Sequence, residues 1–220
     1  DKLIVNSGIN GNKTSDIINN IRNRVYAYNP SKIFLLIGVN DILSSIPDVK
    51  QLANIREVQL MNVDSNEMNE ECWLTLSSTM NKLVETDEVD GIVVTHGTDT
   101  IEETAYFLNL TIHTNKPIVV TGAMRPATAT SADGPYNLYQ AIALASNNEA
   151  YGQGVMVLFS NTIYSGRDVQ KINNYKIDAF DQKSFGCLGY MQDEHVYFFS
   201  TSFIFLNHSI TILPSNKANG

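Results

Sequence analysis

A hydroxyl and a carboxylate stand side by side at Thr98 and Asp99, directly after the apolar run GIVVT and the pair His96-Gly97. Such a run reads as a buried strand, and Ile101, Ala105, Leu108 and Ile112 behind it recur at helical spacing. Thr98 and Asp99 would then sit at a helix amino terminus, where free N–H groups and the macrodipole can hold a carboxylate or an oxyanion. A threonine hydroxyl becomes a nucleophile when a base takes its proton. Lys171, in a glycine-containing loop, could serve once burial or neighbours depress its ordinary pKa of about 10.4. Plainer roles fit the same residues. Ser, Thr and Asp are frequent helix caps, and Thr100 with Glu103 has capping-box spacing. His96 reads as a satisfied structural histidine and Lys171 as a solvated lysine, so local sequence leaves both alternatives open.

The elements that must position these residues alternate in βα fashion, the pattern of an α/β, doubly wound, mostly parallel sheet flanked by helices. A helix is expected over 15–28, ended by Asn29-Pro30, then strands over 32–39 and 57–63. Trp73, Leu76, Met80 and Leu83 mark a helix over 71–85 whose apolar stripe is core. The Gly91–Thr95 unit is followed by a strand over 117–121, a Gly122-to-Pro126 loop, and a helix opened by Asp133-Gly134-Pro135. A third strand over 154–159 leads to the loop carrying Lys171. Loops leaving the carboxyl ends of such strands line the ligand crevice, so these three can converge. The stretch 194–213, rich in Phe, Ile, Tyr and Thr, reads as two or three short strands of a β-rich tail.

With 220 residues and 43% hydrophobic content, the chain has ample material for a core. Its net charge of −8, spread along the sequence, disfavours nucleic acid, whose phosphates need clustered Lys and Arg; a small molecule is the expected partner. No run approaches the ~20 apolar residues of a membrane helix, and Asp1-Lys2-Leu3 shows no export signal, which leaves a periplasmic or a cytoplasmic location open. Cys72 and Cys187 have no metal-spaced neighbours and read as ordinary thiols.

Long stretches carry a resemblance. GIVVTHGTDTIEETAYFL at 91–108 and TGAMRP at 121–126 followed by SADGPYNL at 131–138 resemble signatures of the bacterial-type L-asparaginase and glutaminase-asparaginase family, in its type II style. DSNEMN at 64–69, ahead of WLTL, resembles the family's substrate-contact loop, and 160–171 resembles the segment bearing its lysine. Over about 46–199, the resemblance implies an amidohydrolase releasing ammonia from L-asparagine, or from L-glutamine, through an acyl-enzyme and without metal or organic cofactor. Position by position it makes Thr98 the hydroxyl of a Thr-Lys-Asp triad. Lys171 lowers its proton affinity, and Asp99 orients the group and holds the substrate amino function. Ser65 and Asn66 match positions holding the α-carboxylate and α-amino group. Gly97 belongs to the same substrate-binding set, and Ala123 matches the residue whose backbone faces the scissile amide.

The family's first signature, Thr-Gly-Gly-Thr-Ile-Ala with its primary threonine, does not occur in the chain. VNSGINGNKT at 5–14 and IFLLIGVND at 33–41 instead resemble two blocks of SGNH (GDSL-like) esterases, in which Gly8 and Asn40 would stabilise an oxyanion. Strand 32–39 is expected to fill the place of the missing first strand. Asp41 then falls at the lost threonine, Ser44 and Ser45 lie nearby, and amidase activity is expected to suffer severely. The implied organisation is an SGNH-like fragment over 1–43, an asparaginase N-terminal-type domain over 44–200 and a tail over 201–220. The smaller second domain that completes a neighbouring subunit's site in that family has no counterpart here. The family's intimate dimer is therefore not expected, although another homo-oligomer stays open. Asn115 occupies one place where exported relatives carry a disulfide cysteine.

Overall fold

The computed structural model describes residues 31–37, 46 and 49–200. The expected helix over 15–28 and the tail beyond residue 200 lie outside the described residues. The strands are β1 (Ser31–Ile37), β2 (Ala53–Gln59), β3 (Gly91–Thr95), β4 (Ile118–Thr121), β5 (Val155–Phe159), β6 (Thr162–Ser165), β7 (Gln170–Lys171), β8 (Phe180–Asp181), β9 (Gly189–Gln192) and β10 (His195–Phe198). Helices are α1 (Val49–Leu52), α2 (Glu70–Val84), α3 (Ile101–Thr111) and α4 (Gly134–Ala145). One mixed sheet runs β10-β9-β6-β5-β4-β3-β1-β2, and β7 pairs with β8 apart from it. From β2 to β5 every pairing is parallel; β6, β9 and β10 extend the sheet antiparallel. The architecture is α/β, with a mostly parallel sheet between helices, as the alternation implied.

The central strands are nearly uninterrupted apolar runs because both their faces are covered. Ile92, Val94, Ile118, Val120, Val155, Val157 and Phe159 point into one core with α2 and α3. The intervening Val93, Val119, Met156 and Leu158 point into the other with α4. Two-residue periodicity thus divides each strand between two cores. Since β3, β4 and β5 are laid down in one direction while α3 and α4 cover opposite faces, their two crossovers have opposite hands. One of them departs from the right-handed rule. A crevice opens where neighbouring loops leave for opposite faces, here at the carboxyl ends of β3 and β4.

Three local expectations are corrected. The strand placed at 57–63 lies at Ala53–Gln59, because its bounds are set by pairing with β1, residue for residue from Ser31↔Ala53 to Ile37↔Gln59. The capping box at Thr100 and Glu103 does not form, since the Thr100 hydroxyl donates to the Ser65 carbonyl oxygen (2.7 Å) instead of accepting from the helix. The stretch before Gly166 is not all loop. Ser160 and Asn161, with φ of 46° and 68°, make a two-residue turn of the hairpin kind and return the chain as β6. Cys72 and Cys187 are free thiols, and no described helix is long and apolar enough to cross a membrane.

Candidate active site

β3 delivers His96 to Thr100 to the crevice, and glycine at position 97 is required by close approach. A Cβ there would lie 2.5 Å from Ser65 Oγ and 2.6 Å from Ser65 Cβ. Ser65 is buried in the short turn Ser65–Glu67, whose start is capped by Asp64 accepting from Asn66 N at 3.1 Å. The turn is tied to the β3 loop twice. Besides the Thr100 hydroxyl on the Ser65 carbonyl, Asp99 N donates to Ser65 Oγ at 3.4 Å. These contacts set the Asn66 amide where its Nδ2 donates to Asp99 Oδ2 at 3.2 Å.

Lys171 arrives from the far side on β7. Its Nζ donates to Thr98 Oγ1 at 2.9 Å and to Asp99 Oδ1 at 2.6 Å. The lysine side chain is 10% exposed while the Asp99 side chain is 49% exposed. The amine is thus sheltered, and the carboxylate faces solvent. The hydrogen bond from Lys171 holds the Asp99 carboxyl below the ordinary carboxylate range, partly opposed by its own desolvation and helped by the Lys171 charge and the Asn66 amide. A hydroxyl and a carboxylate on the β3 loop thus both meet an amine from β7, as expected for Thr98, Asp99 and Lys171, with Ser65, Asn66 and Gly97 around them. Such a set can bind an amino acid zwitterion at its open carboxylate and polarise the Thr98 hydroxyl through the lysine nitrogen.

His96 belongs to the framework. Burial lowers its pKa, against the raising effect of the Gly97 carbonyl. Its Nδ1 lies 2.7 Å from the Gly97 oxygen and its Nε2 lies 3.0 Å from Thr104 Oγ1. Because the Gly97 carbonyl oxygen can only accept, Nδ1 carries the proton, and with burial disfavouring a second one Nε2 accepts from the Thr104 hydroxyl, whose oxygen also accepts from Trp73 Nε1 at 2.9 Å. The ring is then neutral and donates from Nδ1 to Gly97, which is the structural reading of this histidine.

The β4 loop lies against the same framework. Gly122 passes under the His96 carbonyl, where a Cβ would approach the oxygen to 2.2 Å. The next residues are held by Asp133, which accepts from Met124 N and Arg125 N, each at 2.9 Å, in place of capping α4. Asn137 joins three segments. Its Nδ2 donates to Gly122 O at 3.0 Å, and its Oδ1 accepts from Ser160 N at 3.3 Å. Ala123 is thereby fixed in the loop beside His96. The roles of Thr100, Asp133 and Asn137 escaped sequence reasoning because each acts on the backbone of another segment, whereas Asp64 caps the turn two residues on. For Asp133 the one signal was its place before Gly134-Pro135, which reads as a cap. Gly8 and Asn40, like Asp41, Ser44 and Ser45, lie outside the described residues.

The family description "Asparaginase, N-terminal" matches residues 18–203. L-asparaginase 2 of Escherichia coli (strain K12) is 44% identical over 157 residues, covering 71% of this chain and 44% of its own length. The glutaminase-asparaginase of Acinetobacter glutaminasificans is 48% identical over 166 residues, covering 76% of this chain and 50% of its own length. Among solved structures, a probable cytoplasmic L-asparaginase from Campylobacter jejuni superimposes with a TM-score of 0.75 at 44% identity, covering 79% of this chain and 59% of that one. The chain spans about half the length of the curated relatives it matches.

Proposed function

We propose that this chain, which belongs to the asparaginase family, binds a small amino acid at Thr98, Asp99 and Lys171 and directs hydrolysis of the side-chain amide of L-asparagine, or of L-glutamine, to the acid and ammonia. The observation that carries the reading is the Lys171 Nζ atom, 2.9 Å from the Thr98 hydroxyl and 2.6 Å from Asp99. In this mechanism Thr98 supplies the hydroxyl and Lys171 lowers its proton affinity. Asp99 and Asn66 hold the substrate amino group, while Ser65 and Gly97 meet the α-carboxylate. The backbone at Ala123 faces the scissile amide. Attack of a hydroxyl oxygen on the amide carbon forms an ester and expels ammonia, and water then cleaves the ester to restore the hydroxyl.

A second reading is favoured by the sequence itself. Thr-Gly-Gly-Thr does not occur in these 220 residues, so the hydroxyl left beside the lysine is that of Thr98. On this reading the chain retains the fold and amino-acid binding but turns over slowly. It divides the chain at about residues 43 and 200, with β1 serving as a sheet strand in the place of the family's first. The SGNH-type esterase reading rests on Gly8 and Asn40, outside the described residues, and no described feature favours it.

The test is ammonia release by the purified chain from L-asparagine and L-glutamine, with L-aspartate binding followed by calorimetry. Aspartate is expected to bind, and turnover to be slow and abolished in Thr98→Val. A Thr98→Val rate equal to the parent's excludes the triad. A parent rate within the ordinary enzyme range of ~1–1000 per second excludes the impaired reading.

A further inference from the structure

We propose that Glu102 is a positioning residue that sets where Lys171 meets Thr98 and Asp99, an inference that rests on the reading of those three as the binding and catalytic cluster. Glu102 lies in the first turn of α3, and its Oε2 accepts from the backbone N–H of Lys171. The helix start that follows Thr98 and Asp99 therefore also grips the main chain of the residue whose side chain reaches back to them. A carboxylate is suited to that place, because the amino-terminal turn of a helix favours negative charge.

The lysine-bearing segment touches α3 at two points. Gly166 packs so closely that a Cβ would lie 3.2 Å from the Ala105 carbonyl oxygen and 2.8 Å from that of Val155, which fixes where the segment begins. At its other end β7 pairs with β8, Lys171 opposite Phe180, and Ile172 N donates to Ala179 O at 2.8 Å. The Phe180 carbonyl is held in turn by the Tyr164 hydroxyl at 2.9 Å. Those bonds fix β7 against β8, whereas Glu102 fixes it against the helix that carries the other two groups. Glu102 aside, Lys171 reaches that helix start through the hydrogen bonds of its own Nζ. The amine would then have to hold the loop and also serve the hydroxyl.

Three variants of the full chain test this. Glu102→Gln keeps an oxygen acceptor of the same reach, Glu102→Ala removes it, and Glu102→Asp keeps the charge but withdraws it by one methylene. The first readout, taken without ligand, is the Lys171 ε-carbon resonance in protein labelled at that carbon, identified by its loss in Lys171→Arg. The second is L-aspartate affinity. Glu102→Gln should leave both close to the parent. Glu102→Ala and Glu102→Asp should move the resonance toward those of exposed lysines and weaken aspartate roughly tenfold, since small misplacements of a binding group have effects of at least that size. A folded Glu102→Asp protein with a parent-like resonance overturns the proposal. So does a Glu102→Gln resonance displaced as far as that of Glu102→Ala, since charge and not reach would then be responsible. If the parent itself does not bind aspartate, the amino-acid reading fails, while the resonances still decide the role of Glu102.

Discussion

Replacing Gly97 by alanine places one methyl group against the turn that carries Ser65 and Asn66. The added Cβ would lie 2.5 Å from Ser65 Oγ, 2.6 Å from Ser65 Cβ and 3.4 Å from Ser65 N. Two of these contacts are far inside van der Waals distance, and Ser65 is itself buried, with 7% exposure, so the strain falls on packed atoms. Overpacking of this kind costs about 2 kcal/mol, which for a chain of this size lowers Tm by roughly 4–8 °C. The distances also rank the remedies. Adding Ser65→Ala removes the hydroxyl clash but leaves Cβ at 2.6 Å, so Gly97→Ala/Ser65→Ala should recover little. Ser65→Gly removes both clashes, and Gly97→Ala/Ser65→Gly should recover most of the loss. Calorimetry on the three variants and the Ser65 single changes gives the coupling. A Gly97–Ser65 interaction under about 0.5 kcal/mol, the ordinary scatter of independent sites, would refute the reasoning. Displacement of Asn66 from Asp99 should weaken L-aspartate binding in Gly97→Ala in parallel.

Two further outcomes follow from the same geometry. Lys171 holds the Asp99 carboxyl below its usual value of 3.8; the pair's stabilisation is thus complete above the unfolded value and is lost as pH falls through the depressed one. Lys171→Met should therefore flatten the acid limb of the stability–pH curve below about pH 4, and an unchanged limb would refute the pairing. Asn137 is 1% exposed and serves Gly122 and Ser160 at once, so Asn137→Ala, by leaving buried backbone groups unpaired, should cost about 3 kcal/mol in chemical unfolding. A cost below about 1 kcal/mol would mean the three loops are held by other means.

Much of the site was legible because its parts lie in continuous runs. β3 is five residues, four of them apolar and buried, ending at Thr95, and an unbroken apolar run announces burial on both faces, with its carboxyl end at a crevice. Thr98, Asp99 and Lys171 could be named from motif and position, and the structure brings them together. What stayed hidden depends on partners remote in sequence. Thr100 looked like a cap, yet its hydroxyl is used by the Ser65 carbonyl, 35 residues away. Glu103 drew attention through capping-box spacing, while it is Glu102 that grips Lys171, 69 residues on. The bounds of β2 depend on β1, not on local hydropathy. β6 alternates between two cores, Ile163 in one and Tyr164 in the other, so its pattern lacks the polar beat by which an exposed-face strand is recognised.

That alternation gives the short turn at Ser160 and Asn161 a reach beyond its size. A one-residue slip of β6 against β5 at that turn would exchange the faces of β6, because side chains along a strand reverse with each step. Tyr164 would leave the core it shares with Phe180, and its hydroxyl would no longer hold the strand that faces Lys171. The placing of the lysine at the crevice thus depends on the register set by a turn at the same, carboxyl end of the sheet.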